Sequence, residues 1–432
     1  MDNKTVLIAV GVVALLAIAS AVVIMTADDT DMSSETEGIR VTIYGNANGD
    51  DVIDARDKAI IEKIVEDGIT DWRDDYVYAD ADQDGKITSA DADVVQSYID
   101  RESTTLYYKD YFGNVAHIPY PIGDRVGVDH PYPALLMATT GLYDLVCAVD
   151  DMTGMYYDDS TFPGLYDMDI IGSSTQITLE QVAAADVDAF IIYSNWGGCC
   201  YLYEQAEKSG LADDVAFITV DIKAADGVTG TLMLGALFNT MDSVEVSLDY
   251  TERIEGIVQE IEDADFEKST VMFDYIAKFG DDYYQYLCGG VANAVSAIVV
   301  DFPAGYEDAG NIMVDEETMV AATKGMPIII QYQAPQGVAR ADMKEYVQDI
   351  THSLLRNSDA YSTQEIIAID SDVVNSVGAF YGAYITAALL YGVFEYEDAV
   401  EKLEYFLANF TPAKVQSAEG FVYSSGEIFG TA

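Results

Sequence analysis

Two acidic stretches, residues 46–57 and 80–91, carry oxygen-bearing side chains at the same offsets within twelve residues. In the second, Asp80, Asp82, Asp84, Thr88 and Asp91 stand at positions 1, 3, 5, 9 and 12, with Gly85 at position 6 and Ile87 at position 8. A hard cation such as Ca2+ takes about six to eight oxygens at short range, and alternate residues of a tightly curled loop can aim theirs at one point. Position 7, Lys86, offers its backbone carbonyl, so its side chain is free to vary. The first stretch repeats the pattern with Asn46, Asn48, Asp50, Asp54 and Asp57, and with Val52 at position 7. It holds Asp51 at position 6, where a sharp turn favours Gly, so the sequence predicts a strained, weaker first site and a tighter second one.

Helices over residues 55–65 and 89–99 must position these ligands, and both have apolar residues at helical spacing. Loop plus helix, twice, with Asp rather than Glu at position 12, resembles a type I dockerin over residues 40–102. The resemblance implies a small α-helical, EF-hand-type module with two Ca2+ sites and a cohesin-like protein as partner. Partner recognition in that family draws on positions 10 and 11, here Ala55-Arg56 and Ser89-Ala90. These pairs differ, which argues against a symmetric dual binding mode. As a separate module it should lose stability to a chelator while residues 107–432 do not.

The 432-residue chain is long enough for several domains, and half its residues are hydrophobic, enough for substantial cores. Its 75 acidic residues outnumber 21 basic ones, for a net charge of −54, which repels nucleic acid and anionic lipid. Residues 6–27 are apolar and uncharged, preceded by Lys4 and followed by Asp28 and Asp29. They read as an N-terminal transmembrane helix with the remainder facing outward, or as a signal segment cleaved near Ala19-Ser20-Ala21; either exports the protein. Residues 28–39 form an acidic tether. Cys147, Cys199, Cys200 and Cys288 show no metal spacing; Cys199-Cys200 are two ordinary thiols or a vicinal disulfide.

Beyond the acidic module, apolar runs of strand length at residues 145–149, 189–193, 216–220, 327–332 and 366–369 alternate with helical segments at 178–185, 201–209 and 342–355. This alternation predicts an α/β fold with parallel sheets covered by helices. Residues 229–263 lack Pro and keep apolar residues at helical spacing, from Leu234 to Ile261. One long helix joining two α/β lobes, residues 107–228 and 266–432, with 229–265 as the bridge, is the economical arrangement.

Residues 107–410 resemble the substrate-binding proteins of iron–siderophore and cobalamin importers. Matching texts occur in order: YFGNVAHIP at 111–119, GDRVGV at 123–128, ALLMATTGLYDLVCAVD at 134–150 and GSSTQITLEQVAAADVDAFII at 172–192. In the second half DFPAG at 301–305, GNI at 310–312, VDEE at 314–317 and GMPIII at 325–330 repeat the arrangement. Val187-Asp188 departs from the family's usual Pro-Asp. The resemblance implies two Rossmann-like lobes bridged by a long helix (periplasmic-binding-protein class III), and delivery of an iron chelate (siderophore or haem) or corrinoid to an ABC permease.

It also places ligand contacts on loops at the C-terminal ends of strands. Candidates are His130 and Tyr132 in 129–132, Trp196 in 194–198, Tyr283 and Tyr284 in 279–286, Tyr332 at the end of its strand, and Arg340 in 333–340. Arg340 is the one Arg well placed on these loops, which favours a neutral or cationic ligand over an anionic chelate. His130 or Tyr132 could ligate iron, although a single loop His more often makes a hydrogen bond. By position, Glu204 and Glu317 match the surface Glu residues with which the family docks its permease. No P-loop, G-x-S-x-G or His pair at metal spacing is present, so the sequence points to binding rather than catalysis. A cell-surface interaction protein that binds a cohesin-like partner is the alternative reading.

Overall fold

Short apolar runs become buried strands, because a parallel strand covered on both faces excludes polar side chains. The computed structural model describes residues 38–193, 199–221, 227–279, 282–335, 337–374 and 376–431. The apolar segment 6–27, most of the tether, and Trp196 lie outside the described residues. Among those described, no helix is long and apolar enough to cross a membrane. The described residues form two compact units: one holds those from 38 to 155 together with those of Asp167–Thr251, and the other holds Tyr156–Tyr166 and those from Glu252 onward.

The first unit begins with α1 (Ala55–Asp67) and α2 (Ser89–Ile99), then an antiparallel hairpin of β1 (Thr104–Lys109) and β2 (Val115–Tyr120). Five parallel strands follow: β3 (Val126–Val128), β4 (Val146–Asp150), β5 (Asp169–Gly172), β6 (Ala189–Tyr193) and β7 (Ala216–Val220). Their order is β5-β4-β3-β6-β7. Helices α3 (Pro131–Thr139), α4 (Asp151–Tyr156), α5 (Leu179–Ala184) and α6 (Tyr201–Ser209) intervene, and α7 (Gly227–Phe238) and α8 (Met241–Asp263) follow. Phe190, Ile191 and Ile192 of β6 are all fully buried. Gly127 of β3 lets the sheet close, since a Cβ there would lie 3.0 Å from Ile171 and Phe190.

The second unit is a mixed sheet of β8 (Met272–Phe279), β9 (Asp282–Cys288), β10 (Asn311–Met313), β11 (Ile328–Tyr332), β12 (Ile366–Asp370) and β13 (Val422–Tyr423). The order is β10-β9-β8-β11-β12-β13, with β8, β11 and β12 parallel and the other pairings antiparallel. Its helices are α9 (Glu316–Ala322), α10 (Met343–Leu354), α11 (Asp359–Thr363), α12 (Ser371–Val374), α13 (Ala379–Tyr391), α14 (Tyr396–Phe410) and α15 (Ser425–Phe429).

Two expectations are corrected. The single helix over 229–263 is two helices, α7 and α8. Asn239 takes a left-handed φ of 45° and ends α7. Thr240 restarts the chain: its hydroxyl accepts the N–H of Ser243 at 3.0 Å, and the Ser243 hydroxyl accepts that of Thr240 at 3.0 Å. The two helices then touch at Gly235, whose backbone carbonyl accepts from the Ser243 hydroxyl at 3.0 Å. The chain passes from the first unit to the second within α8. The second correction concerns residues 279–286, expected as a loop. They belong largely to a hairpin in which Tyr283, Tyr284 and Tyr286 sit on β9, paired with Lys278, Ala277 and Tyr275 of β8.

Candidate functional site

The twin loops close on one shared frame. Asp57 accepts the N–H of Asn48 on Oδ1 at 3.1 Å and that of Asp54 on Oδ2 at 2.8 Å. Asp91 accepts the N–H of Asp82 on Oδ1 at 3.2 Å and that of Thr88 on Oδ2 at 2.7 Å. Asp54 and Thr88 are the N-caps of α1 and α2, and Asp57 and Asp91 complete their capping boxes. Position 12 thus ties the loop shut and starts the helix, in both copies.

The position-1 side chains carry the clearest sign of an ion. Asn46 Oδ1 and Asp80 Oδ1 are buried acceptors with no hydrogen-bond partner, an unfavourable state that a cation relieves. In the second loop, Asp80, Asp82 and Asp84 bring carboxylate oxygens within 4.8 Å of one another. Burial and the nearby Asp91 carboxylate push Asp80 up to about 6. The donor set fits Ca2+: hard oxygens, clustered and partly unsatisfied. Asn46, Asn48, Asp50, Asp54, Asp57 and the Val52 carbonyl would hold an ion in the first loop. Asp80, Asp82, Asp84, Thr88, Asp91 and the Lys86 carbonyl would hold one in the second.

The loops differ, though not where the sequence suggests. Gly85 is left-handed with φ 89°, but Asp51, its counterpart, is not in that region. The first loop turns at position 4 instead, where Gly49 has φ 69°; the second bends there too, through Gln83 at φ 57°. The strain expected at Asp51 is therefore absent. Its carboxylate turns away to Arg40, which donates from Nε to Oδ1 at 3.0 Å and from Nη2 to Oδ2. What distinguishes the first loop is Arg56, whose guanidinium lies 2.9 Å from Asp50 Oδ2 and 3.0 Å from Asp54 Oδ2. A fixed cation already engages two of its proposed ligands.

The module is built into the first unit. Tyr44 donates its N–H to Tyr107 at 2.9 Å, and Lys109 donates to Thr42 at 2.8 Å, extending the β1 ladder into the module. Tyr98 of α2 stacks on Tyr120 of β2 with centroids 5.1 Å apart, and its hydroxyl donates to the Ala236 carbonyl at 2.5 Å. Arg101 donates to the carbonyls of Phe238 and of Asn239, the latter at 2.7 Å. These are the orphan acceptors at the end of α7, where a cation also opposes the helix dipole. The module is thus packed into the first unit, sharing sheet ladder, stacking and buried hydrogen bonds with residues 104–239.

At the strand ends of the first unit, His130, Tyr132 and Tyr193 form one aromatic cluster. Centroids lie 4.9 Å apart for His130–Tyr132, 4.5 Å for His130–Tyr193 and 5.4 Å for Tyr132–Tyr193. His130 is the N-cap of α3, and its Nδ1 accepts the N–H of Tyr132 at 3.2 Å. Burial pushes its pKa down to about 3, so the imidazole is neutral. A neutral imidazole that ligates through Nε2 carries its proton on Nδ1, yet here Nδ1 is an acceptor; the geometry makes His130 a capping group. Asp129, which the sequence reading passed over, is buried beneath the cluster. It accepts the N–H of Tyr193 at 2.7 Å, and burial pushes it up to about 7.

In the second unit, Tyr332 ends β11 but points inward. It is fully buried, packs with Met343, Tyr346 and Tyr423, and donates to the Gly420 carbonyl at 2.6 Å. Arg340 pairs with the buried carboxylate of Asp370 at 2.5 Å and lies 3.9 Å over the Phe421 ring. Asp372 stands nearby, pushed up by burial and by Asp370, and accepts from the Tyr157 hydroxyl at 3.2 Å. Arg340 is thus already neutralised. Tyr283 is exposed, stacks with Tyr346 at 6.4 Å and carries Lys278 5.3 Å above its ring; Tyr284 is half-buried beside it. Glu204 is exposed on α6, paired with Lys208 at 2.9 Å, and Glu317 is exposed in the first turn of α9. Among the described residues the four cysteines form no disulfide.

Residues 44–100 match the family model of the Dockerin type I domain. The chain is similar in fold to a periplasmic solute binding protein from Veillonella parvula. That likeness covers 71% of this chain and 93% of that one, with 13% identity and a TM-score of 0.51. It is also similar to the TroA-like periplasmic binding protein FepB from Veillonella parvula, over 74% of this chain and 97% of that one, with 15% identity and a TM-score of 0.52. Comparison with curated proteins finds no match. The chain therefore joins a dockerin type I domain to an α/β region with the fold of periplasmic binding proteins.

Proposed function

We propose that the chain is an extracytoplasmic, membrane-anchored substrate-binding protein. It delivers an iron chelate (siderophore or haem) or a corrinoid to an ABC importer, and it is a binding protein rather than an enzyme. The fold likeness to periplasmic binding proteins over most of the chain carries this reading. The strand-end aromatics of the first unit, His130, Tyr132 and Tyr193, supply flat apolar surface for a bulky ligand. In the second unit Arg340 is neutralised by Asp370, which suits a neutral or cationic solute better than an anionic chelate. Residues 6–27 serve as the anchor, and Glu204 and Glu317 as contacts for the permease.

Titration of the purified chain with cobalamin, haem, and neutral and anionic ferric siderophores, followed by tryptophan fluorescence, tests the proposal. Trp196 lies in a candidate ligand loop, so quenching by one of them is the expected result, and no response to any overturns it.

The dockerin match favours a second role. The twin loops hold two Ca2+ ions, the second more tightly, and present the exposed Ala55, Arg56, Ser89 and Ala90 to a cohesin-like protein. Binding to a cohesin domain that fails to change on adding EDTA would count against this role.

A further inference from the structure

Where the first calcium loop meets the α7–α8 pair, the first unit contains an open groove of about 300 Å3. One wall is loop residues 51–54; the other is a ridge of α8. Met241, Val244 and Leu248 recur at helical spacing along that ridge, with Glu245 between them. The opposite face of α8 is the buried one, through Tyr250, Ile254, Ile257 and Ile261. Helix α8 is thus apolar on two faces, and the second is uncovered: Met241 is 77% exposed and Leu248 36%. Two large apolar side chains left in water at the mouth of a groove, with half-buried Val244 between them, mark a surface that something else covers.

Charge narrows the occupant. Asp51, Asp54 and Glu245 line the groove, and no Lys or Arg does. Arg40 and Arg56 pair with Asp51 and Asp54 from outside it, whereas Glu245 is exposed without a hydrogen-bond or ion-pair partner among the described residues. A second copy of this chain would bring another −54 molecule and another Glu245 to the same place. An anionic bilayer is repelled for the same reason. We propose that the groove docks a basic amphipathic segment of a partner protein, large apolar side chains seated along Met241, Val244 and Leu248 and a Lys or Arg meeting Glu245. This surface lies on α8 and loop 1 and adjoins position 11 of the first loop, where Arg56 pairs with Asp54.

The test uses fluorescence anisotropy on the full chain at physiological salt. Two labelled amphipathic helical peptides serve as probes, one built of Leu, Ala and Lys, the other with Glu in place of Lys. Glu245→Lys and Leu248→Ala are each expected to weaken the Lys peptide by about tenfold, a difference well above assay error. Glu262→Lys makes the same charge change on an exposed part of α8 outside the groove, and should leave binding nearly unaltered. Equal losses from Glu245→Lys and Glu262→Lys would mean bulk attraction to an acidic protein and overturn the proposal. So would equal binding of the Glu peptide, a dimer in sedimentation that Leu248→Ala abolishes, or binding to anionic vesicles that Leu248→Ala abolishes. Both groove positions are exposed, and unchanged melting of each variant verifies that the fold survives.

Discussion

Tyr98 and Tyr120 stack at 5.1 Å, and the Tyr120 hydroxyl donates to the Tyr98 carbonyl at 2.8 Å. One ring belongs to the second helix of the calcium module and the other to the hairpin that opens the α/β region, so the two parts share a buried seam. Calcium binding should therefore stabilise the first unit as a whole. Chelator is expected to lower the melting of the first unit in one transition, read by calorimetry with and without EDTA. Tyr98→Phe removes the buried bond to Ala236 and should cost the same transition about 1–2 kcal/mol. A chelator-sensitive module that melts alone would contradict the seam.

The two loops should separate in calorimetric titration with calcium. Gly85→Ala forces a Cβ into a left-handed turn of φ 89°, at a cost of about 1–2 kcal/mol, and should weaken the second site. Arg56→Ala removes a guanidinium from Asp50 and Asp54 and should tighten the first. If Arg56→Ala leaves the weaker binding step unchanged, that arginine does not compete with the ion.

Arg340 offers a clean distinction between ligand contact and structural ion pair. Its partner Asp370 has a side chain 1% exposed, and removing one member of a buried pair costs about 3–5 kcal/mol. Arg340→Ala should lower the urea midpoint of the second unit accordingly. A variant of normal stability with altered solute affinity would reverse the assignment.

Asp274 sets a pH dependence of known sign. It is fully buried on β8, accepts from Gln285 Nε2 at 2.7 Å and leaves Oδ1 without a partner. Burial pushes its pKa up from 3.8 to about 8. Between those values the folded unit keeps a proton that the unfolded chain has released. Asp274 therefore makes stability fall as pH rises through that window, by at most about 1.4 kcal/mol per pH unit, and adds no further slope above pH 8. Asp274→Asn should flatten the profile of the second unit and raise its stability most at alkaline pH, measured by urea unfolding across the range. A variant with the same slope would place the pH dependence elsewhere.

The strands and the dockerin-like segment were legible because each rests on a short pattern with one physical meaning. Strand β6 falls on residues 189–193 and β7 on 216–220, as their apolar runs indicate. Tyr332 was not legible for the same reason: every residue of β11 is buried, so alternation carries no information about which side chain turns toward a site. The break at Asn239 was legible in principle, since Thr240 and Ser243 form the hydroxyl pair that begins helices. Apolar spacing continues through it and hides it. The position-4 turn of the first loop depends on φ at Gly49 and on Arg40 drawing Asp51 outward, a long-range pairing that no loop pattern encodes.

Asp57 and Asp91 each accept two backbone N–H groups of their own loop, from Asn48 and Asp54 in the first and from Asp82 and Thr88 in the second. Each carboxylate ties backbone three and nine residues upstream of itself, so closing a loop and nucleating its helix are a single event, and losing either aspartate would unfasten both at once.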